Sequence, residues 1–172
     1  MKTVRGKVSV FTELSQGGLV HGNCLEVAGR GFLLLGESGA GKSTLSLSLI
    51  ERAGWAGRAA FLISDDYTHL FVEDSVIYAQ GAGHLRGAIE IRGAGLYKIA
   101  AQEKTKLYKV IWLHQEKAQR YPDDEKIMFG DVSLPLLYLP PLGYADAIAL
   151  CHAIEAFCFG EKWSEGSEKG NF

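Results

Sequence analysis

The chain is short of cysteine, of proline and of any large excess of charge. Cys24, Cys151 and Cys158 are its three cysteines, an odd number with no CxxC spacing, which argues against a disulfide frame or a thiolate zinc site. Cys151 and Cys158 stand seven apart on a predicted helix, too distant to bond, so buried reduced thiols in a cytosolic protein are expected. Eighteen basic and 20 acidic residues give a net charge of −2. Bulk charge therefore does not draw the chain to nucleic acid or to anionic lipid, and neither is expected as a partner. Long apolar runs are missing too. The stretch from Ala145 to Phe159 is interrupted by Asp146, His152 and Glu155, and is too short and too polar to span a bilayer. The opening residues MKTVRGKVSVFTE carry no apolar segment of the kind a signal peptide needs, so a cytoplasmic location is expected.

What is present is core material and glycine. Of 172 residues, 47% are apolar and 10% aromatic, which excludes wholesale disorder and suits one core burying about two thirds of the unfolded surface. The 21 glycines follow no collagen period, so their positions matter. The expected organisation is a single domain over residues 1–160 and a polar, frayed tail over 161–172.

Strands are expected at Val8–Leu14, Cys24–Ala28, Phe32–Leu35, Ala59–Ser64, Val110–His114 and Leu134–Leu139. Thr68–Val72 and Val76–Ala79 read as a hairpin across Glu73-Asp74-Ser75. Lys42–Ala53 has Leu45, Leu49, Ile50 and Ala53 at helical spacing, with Gly54 as its stop. Ala145–Phe159 reads as a second helix, apolar enough to be mostly buried. Gln16–Val20 reads as a glycine-rich turn, Gly81–Gly95 as a glycine-punctuated loop region, and Gln115–Lys126 as a polar surface loop.

Gly36-Glu37-Ser38-Gly39-Ala40-Gly41-Lys42-Ser43 fits GxxxxGK[ST], with an apolar strand before it and an amphipathic helix after it. Glycines let successive backbone N–H groups converge on phosphate oxygens, and the helix N-terminus adds partial positive charge. Lys42 supplies a mobile cation, and the Ser43 hydroxyl suits the hard-oxygen preference of Mg²⁺. Residues Gly36 to Thr44, with Glu37, Ser38, Gly39, Ala40 and Gly41 between, are therefore the expected binding segment for a nucleoside triphosphate.

Asp65-Asp66 closes the strand that follows this helix. A carboxylate at such a strand end can hold Mg²⁺ or take a proton from an attacking hydroxyl. The two point in different directions, so two roles are open, as is a plain solvated turn. Further on, residues 87–95 read GAIEIRGAG. Alternation puts Glu90 and Arg92 on one face of an extended segment. They fit a Mg²⁺ ligand and a phosphoryl-charge stabiliser, or simply a salt bridge with each other. Arg86, Arg92, Lys98, Lys104, Lys106 and Lys109 crowd the region around this element. They form a solvated face, or one that docks an acidic partner or an effector phosphate.

In order and approximate spacing, His21-Gly22, GESGAGKS, Ser64-Asp65-Asp66 and Ile89-Glu90-Ile91-Arg92-Gly93-Ala94-Gly95 together resemble the HPr kinase/phosphorylase family. The resemblance is firm from Gly18 to Leu96 and weaker to Phe159. It implies a phosphate-loop α/β kinase core of the HPr kinase and phosphoenolpyruvate carboxykinase type, a mixed β-sheet flanked by helices. It implies an ATP- and Mg²⁺-dependent protein serine kinase acting on the phosphocarrier HPr, as part of phosphotransferase-system regulation. Phosphorolysis of phosphoserine-HPr by inorganic phosphate, with release of pyrophosphate, would be the reverse reaction. By the same resemblance Asp66 is the general base, His21 the histidine that tunes it, and Lys42 and Arg92 belong to the catalytic set. Ser43, Glu90 and Asp65 are then the metal ligands, and the assembly is a homo-oligomer, a hexamer. The chain departs from the family in two late segments. Leu139-Pro140-Pro141-Leu142-Gly143-Tyr144 carries no arginine where a proline- and arginine-bearing loop is expected. Arg120, in a poorly matching context, is the sole candidate for a further catalytic arginine. A phosphate-loop kinase of a small molecule, and a nucleotide-sensing module with little turnover, are the alternative functions.

Overall fold

A computed structural model describes residues 18–163. Along the chain run β1 (Leu19–Val27), β2 (Arg30–Gly36), α1 (Lys42–Trp55), β3 (Ala60–Ser64), β4 (Tyr67–Glu73) and β5 (Val76–Gln80). Then follow β6 (Ala88–Ile91), β7 (Gly95–Lys98), β8 (Lys104–Leu113), β9 (Glu125–Phe129), β10 (Val132–Leu139) and α2 (Ala147–Phe159). The strand expected at Val8–Leu14 lies outside the described residues, as does most of the expected tail.

β2 is apolar on both faces, and the packing uses both. Phe32 and Leu34 face the two helices, while Leu33 and Leu35 face a second cluster on the opposite side. Strands buried on both faces read as continuous apolar runs. β2 pairs antiparallel with β1 and parallel with β8, and β8 pairs parallel with β10. β3 lies along the other edge of β1, and β9 along β10. The β4–β5 hairpin bridges the start of β1 and the start of β8, so the ring β2–β1–β4–β5–β8–β2 closes on itself. A closed ring leaves none of its strands with a free edge. The result is a mixed α/β fold whose two helices share one face of the sheet. The expected mixed sheet with helices packed on it is what forms, and the opposite core is closed by strands among the described residues.

α1 buries Leu45, Leu49 and Ala53 against the sheet, each leucine contributing about 1.5–3 kcal/mol. It continues through Gly54 to Trp55 and stops two residues later than expected. Gly57 adopts φ 70, its N–H reaches Gly54 O at 3.0 Å, and Arg58 N–H reaches Ala53 O at 2.8 Å. That paired closure needs a left-handed residue just past the cap, and glycine takes it without strain. α2 starts two residues later than expected. Asp146, read as an interruption, caps it by accepting from the amides of Ile148 (2.9 Å) and Ala149 (3.1 Å). The helix is not mostly buried. Leu150, Cys151, Ile154 and Cys158 face the core, but Ile148 is 60% exposed. Arg52 of α1 and Glu155 of α2 join the helices by a two-point ion pair at 2.9 and 2.8 Å.

All three cysteines are buried free thiols, as expected. Burial raises each thiol above its usual range, Cys158 to about 12. No helix among the described residues is long and apolar enough to cross a membrane.

Candidate functional site

β2 feeds directly into the glycine-rich loop, and α1 begins at Lys42. No side chain caps the start of α1, so its first amides remain available to an anion. Gly41 holds φ 99, and a Cβ there would stand 2.5 Å from Leu142 Cβ. Leu142 is tied to the loop in turn by its amide, which donates to Ala40 O at 3.0 Å. The segment after β10 thus packs on the glycine loop, and only glycine fits both the backbone and the gap.

Lys42 folds back over its own loop and donates to Gly36 O (3.0 Å) and Glu37 O (3.1 Å). Burial lowers its pKa, and the nearby Asp66 and Asp65 carboxylates partly oppose that shift.

The aspartates at the end of β3 do point apart. Asp65 Oδ1 accepts from Ser43 Oγ at 2.7 Å, and its Oδ2 accepts the Glu90 amide at 2.9 Å. Asp66 Oδ1 lies 2.9 Å from His21 Nε2. Since a carboxylate only accepts, the shared proton belongs to His21 Nε2. Lys42 Nζ, 3.4 Å from the same nitrogen, is then a neighbouring cation. Asp66 sits at φ 75, unusual for a residue with a side chain. It is held there by Gly22 N–H donating to Asp66 O (2.9 Å) and by its own amide donating to Asn23 Oδ1 (3.2 Å). Backbone strain of this kind costs about 1–3 kcal/mol and persists where surrounding contacts enforce it.

Asn23 was absent from the expected set. It is fully buried, and its Nδ2 donates to Asp65 Oδ1 and, at 3.3 Å, toward Ser43 Oγ. One carboxamide therefore fixes the loop serine, the first aspartate and the backbone of the second. Its one signal in the sequence was an amide side chain set among apolar residues just before Cys24-Leu25.

His21, Lys42, Ser43, Asp66, Glu90 and Arg92 line one cavity of about 230 Å³, so nearly all the expected catalytic residues meet. Glu90 and Arg92 form no ion pair with each other; they end a short β6–β7 hairpin turned by Gly93 (φ 84) and Gly95 (φ 109). Arg120 stands apart. It follows the short helical turn Gln115–Lys117, and its guanidinium lies 5.6 Å from the centroid of the Tyr121 ring. Nor do the basic residues form one face. Lys104 and Lys106 lie over Tyr78 and Tyr108, whereas Lys109 reaches the opposite side and bonds Phe157 O of α2.

A magnesium ion fits these residues. Mg²⁺ is usually held by one or two carboxylates together with phosphates and waters rather than by an all-protein cage. Ser43 Oγ and Asp65 offer adjacent hard oxygens, and Glu90, whose amide donates to Asp65 Oδ2, is beside them; no group of three or more His, Cys, Asp or Glu side chains placed to hold a metal occurs among the described residues.

A family model described as the HPr Serine kinase C-terminal domain matches residues 12–121. The HPr kinase/phosphorylase of Streptococcus equi subsp. zooepidemicus is 29% identical over 150 residues, covering 78% of this chain and 46% of that protein. That of Caldanaerobacter subterraneus subsp. tengcongensis is 32% identical over 134 residues, covering 70% and 42%. The chain thus spans less than half the length of these curated relatives. The solved Hpr(Ser) kinase/phosphatase from Coxiella burnetii superposes with a TM-score of 0.65 at 22% identity, over 81% of this chain and 95% of that one.

Proposed function

The chain belongs to the HPr serine kinase C-terminal domain family, and from that premise we propose that it is an ATP- and Mg²⁺-dependent protein serine kinase acting on HPr. The observation that carries this reading is the position of Asp66. A carboxylate paired with His21 shares a small cavity with Lys42 and Ser43 of the glycine loop. A module that only binds nucleotide has no use for a proton acceptor there. The relatives named HPr kinase/phosphorylase support the choice of acceptor.

In the proposed transfer the serine hydroxyl oxygen bonds to the γ-phosphorus as the bond from that phosphorus to the β–γ bridging oxygen breaks. ADP leaves, and the serine proton passes to an Asp66 carboxylate oxygen. His21 holds that carboxylate in place. The loop amides and Lys42 bind the phosphates, and Arg92 faces the charge that develops on the transferring group. Ser43, Asp65 and Glu90 would hold Mg²⁺, which supplies neutralisation of phosphate charge when bound. Arg120, outside the cavity, is given no part. The phosphate-loop core would be of the phosphoenolpyruvate carboxykinase type, and the assembly a homo-oligomer, a hexamer, in the cytoplasm.

The test is an acceptor panel. ATP and Mg²⁺ are supplied with cognate HPr or with small alcohols, and products are read by mass spectrometry. Phosphoserine on HPr is expected; a labelled small alcohol with HPr untouched contradicts the reading. A chase with inorganic phosphate reads the reverse reaction by the appearance of pyrophosphate.

A further inference from the structure

The side chains of His21 and Asp66 are 36% and 64% exposed, so burial alone holds neither in place. The hydrogen bond between them fixes the carboxylate only if the imidazole is itself fixed. The polar contacts of that ring, to Asp66 and to the Lys42 ammonium, both fall on Nε2, so they do not set the plane of the ring. What lies against it is Tyr67. The two ring centroids are 5.5 Å apart, with the planes tilted by 43°, within the range of favourable aromatic pairs.

The chain builds this contact by register. His21 stands opposite Tyr67 on antiparallel β1 and β4, and Val20 opposite Thr68. Alternation sends Val20 and Thr68 into the core and leaves His21 and Tyr67 on the outer face. Buried Thr68 locks that register. Its hydroxyl donates to Gly22 O at 2.7 Å and lies 2.5 Å from Ser64 Oγ. A slip of one residue would turn the tyrosine ring inward, away from His21. The Tyr67 amide donates to Asp65 O at 3.0 Å, closing a three-residue turn centred on Asp66 at φ 75. The turn that presents the Asp66 carboxylate therefore also sets the ring beside its histidine partner. Tyr67 is 52% exposed and stands outside both core clusters; its ring contact is with His21.

We propose that Tyr67 is a positioning residue for the transfer, its ring holding the His21 imidazole in the orientation from which Nε2–H meets Asp66. The proposal rests on the reading that Asp66 takes the acceptor proton, and it assigns the support behind that pair.

Steady-state kinetics with cognate HPr, calorimetry with ATP and Mg²⁺, and thermal melts test it on wild type, Tyr67→Ala, Tyr67→Phe, His21→Ala and the double alanine variant. Tyr67→Ala should lower kcat about tenfold, with ATP affinity and the KM for HPr unchanged. The ring makes the contact, so Tyr67→Phe should keep the wild-type rate. Residual transfer by His21→Ala, accumulated over long incubations and read by mass spectrometry, should fall no further when Tyr67→Ala is added, because the tyrosine acts through the histidine. Four results overturn the positioning role while leaving the kinase reading intact. They are a wild-type kcat in Tyr67→Ala, a change confined to the KM for HPr, an equal loss in Tyr67→Phe, and a further loss in the double variant. Wild type that leaves HPr unphosphorylated overturns the kinase reading, and the positioning role with it.

Discussion

Asn23 and Asp65 are joined by a hydrogen bond from Asn23 Nδ2 to Asp65 Oδ1, across 42 positions of chain. The same carboxamide approaches Ser43 and accepts the Asp66 amide, so three parts of the site share one buried side chain. Asn23→Ala is expected to weaken Mg²⁺-dependent nucleotide binding about 10–100-fold, the usual effect of removing a group that orients ligands. It should also cost about 1–3 kcal/mol of stability through the buried polar groups left unpaired. Mg²⁺ titrations of ATP affinity beside denaturant melts separate the two effects. Lost stability with unchanged Mg²⁺ dependence would make Asn23 structural only.

Burial holds the Lys42 pKa below its ordinary 10.5. A bound triphosphate favours the charged ammonium and raises that pKa again. At alkaline pH, between the lowered and the restored values, binding should therefore take up protons. Calorimetry in buffers of different ionisation enthalpy reads this directly. Lys42→Arg, charged throughout, should bind without the uptake. Uptake that persists in the arginine variant would assign it to another group.

The hydrogen bond from Arg52 holds the Glu155 carboxyl below its ordinary 4.5. A carboxylate with a depressed folded pKa stabilises fully above its unfolded value, and that contribution is lost as pH falls through the folded one. Glu155→Gln should therefore melt below wild type at neutral pH, with the gap narrowing as pH falls through and below the glutamate range. Equal gaps at all pH values would mean that the pair contributes by packing alone.

The site was more legible in the sequence than the sheet. Asp65, Asp66, Lys42, Ser43, Glu90 and Arg92 lie in short patterns whose spacing follows from turns and strand ends, and those the chain does bring together. The elements that escaped are those where charge masks the period. β8 begins at Lys104, and the alternation of Thr105 and Leu107 inward with Lys104, Lys106 and Tyr108 outward was read as a basic cluster. β9 starts inside the stretch read as a polar loop, and β6 and β7 are two short strands in a region read mainly as glycine-rich loop. β1 reaches back to Leu19, into the stretch read as a turn. Ring closure through β4 and β5 depends on pairings far apart in the chain, which no local period records. Asn23 escaped because a lone amide in a strand carries no motif.

In the proposed reaction Asp66 accepts the proton of a serine on HPr. Intact-mass analysis of cognate HPr, after incubation with ATP, Mg²⁺ and either wild type or Asp66→Asn, tests it most directly. Wild type should add one phosphoryl group to a serine. Asp66→Asn should transfer at least about 100-fold more slowly while ATP affinity, read by calorimetry, is retained. Transfer by Asp66→Asn at the wild-type rate, or an HPr mass unchanged by the wild-type protein, would contradict the account.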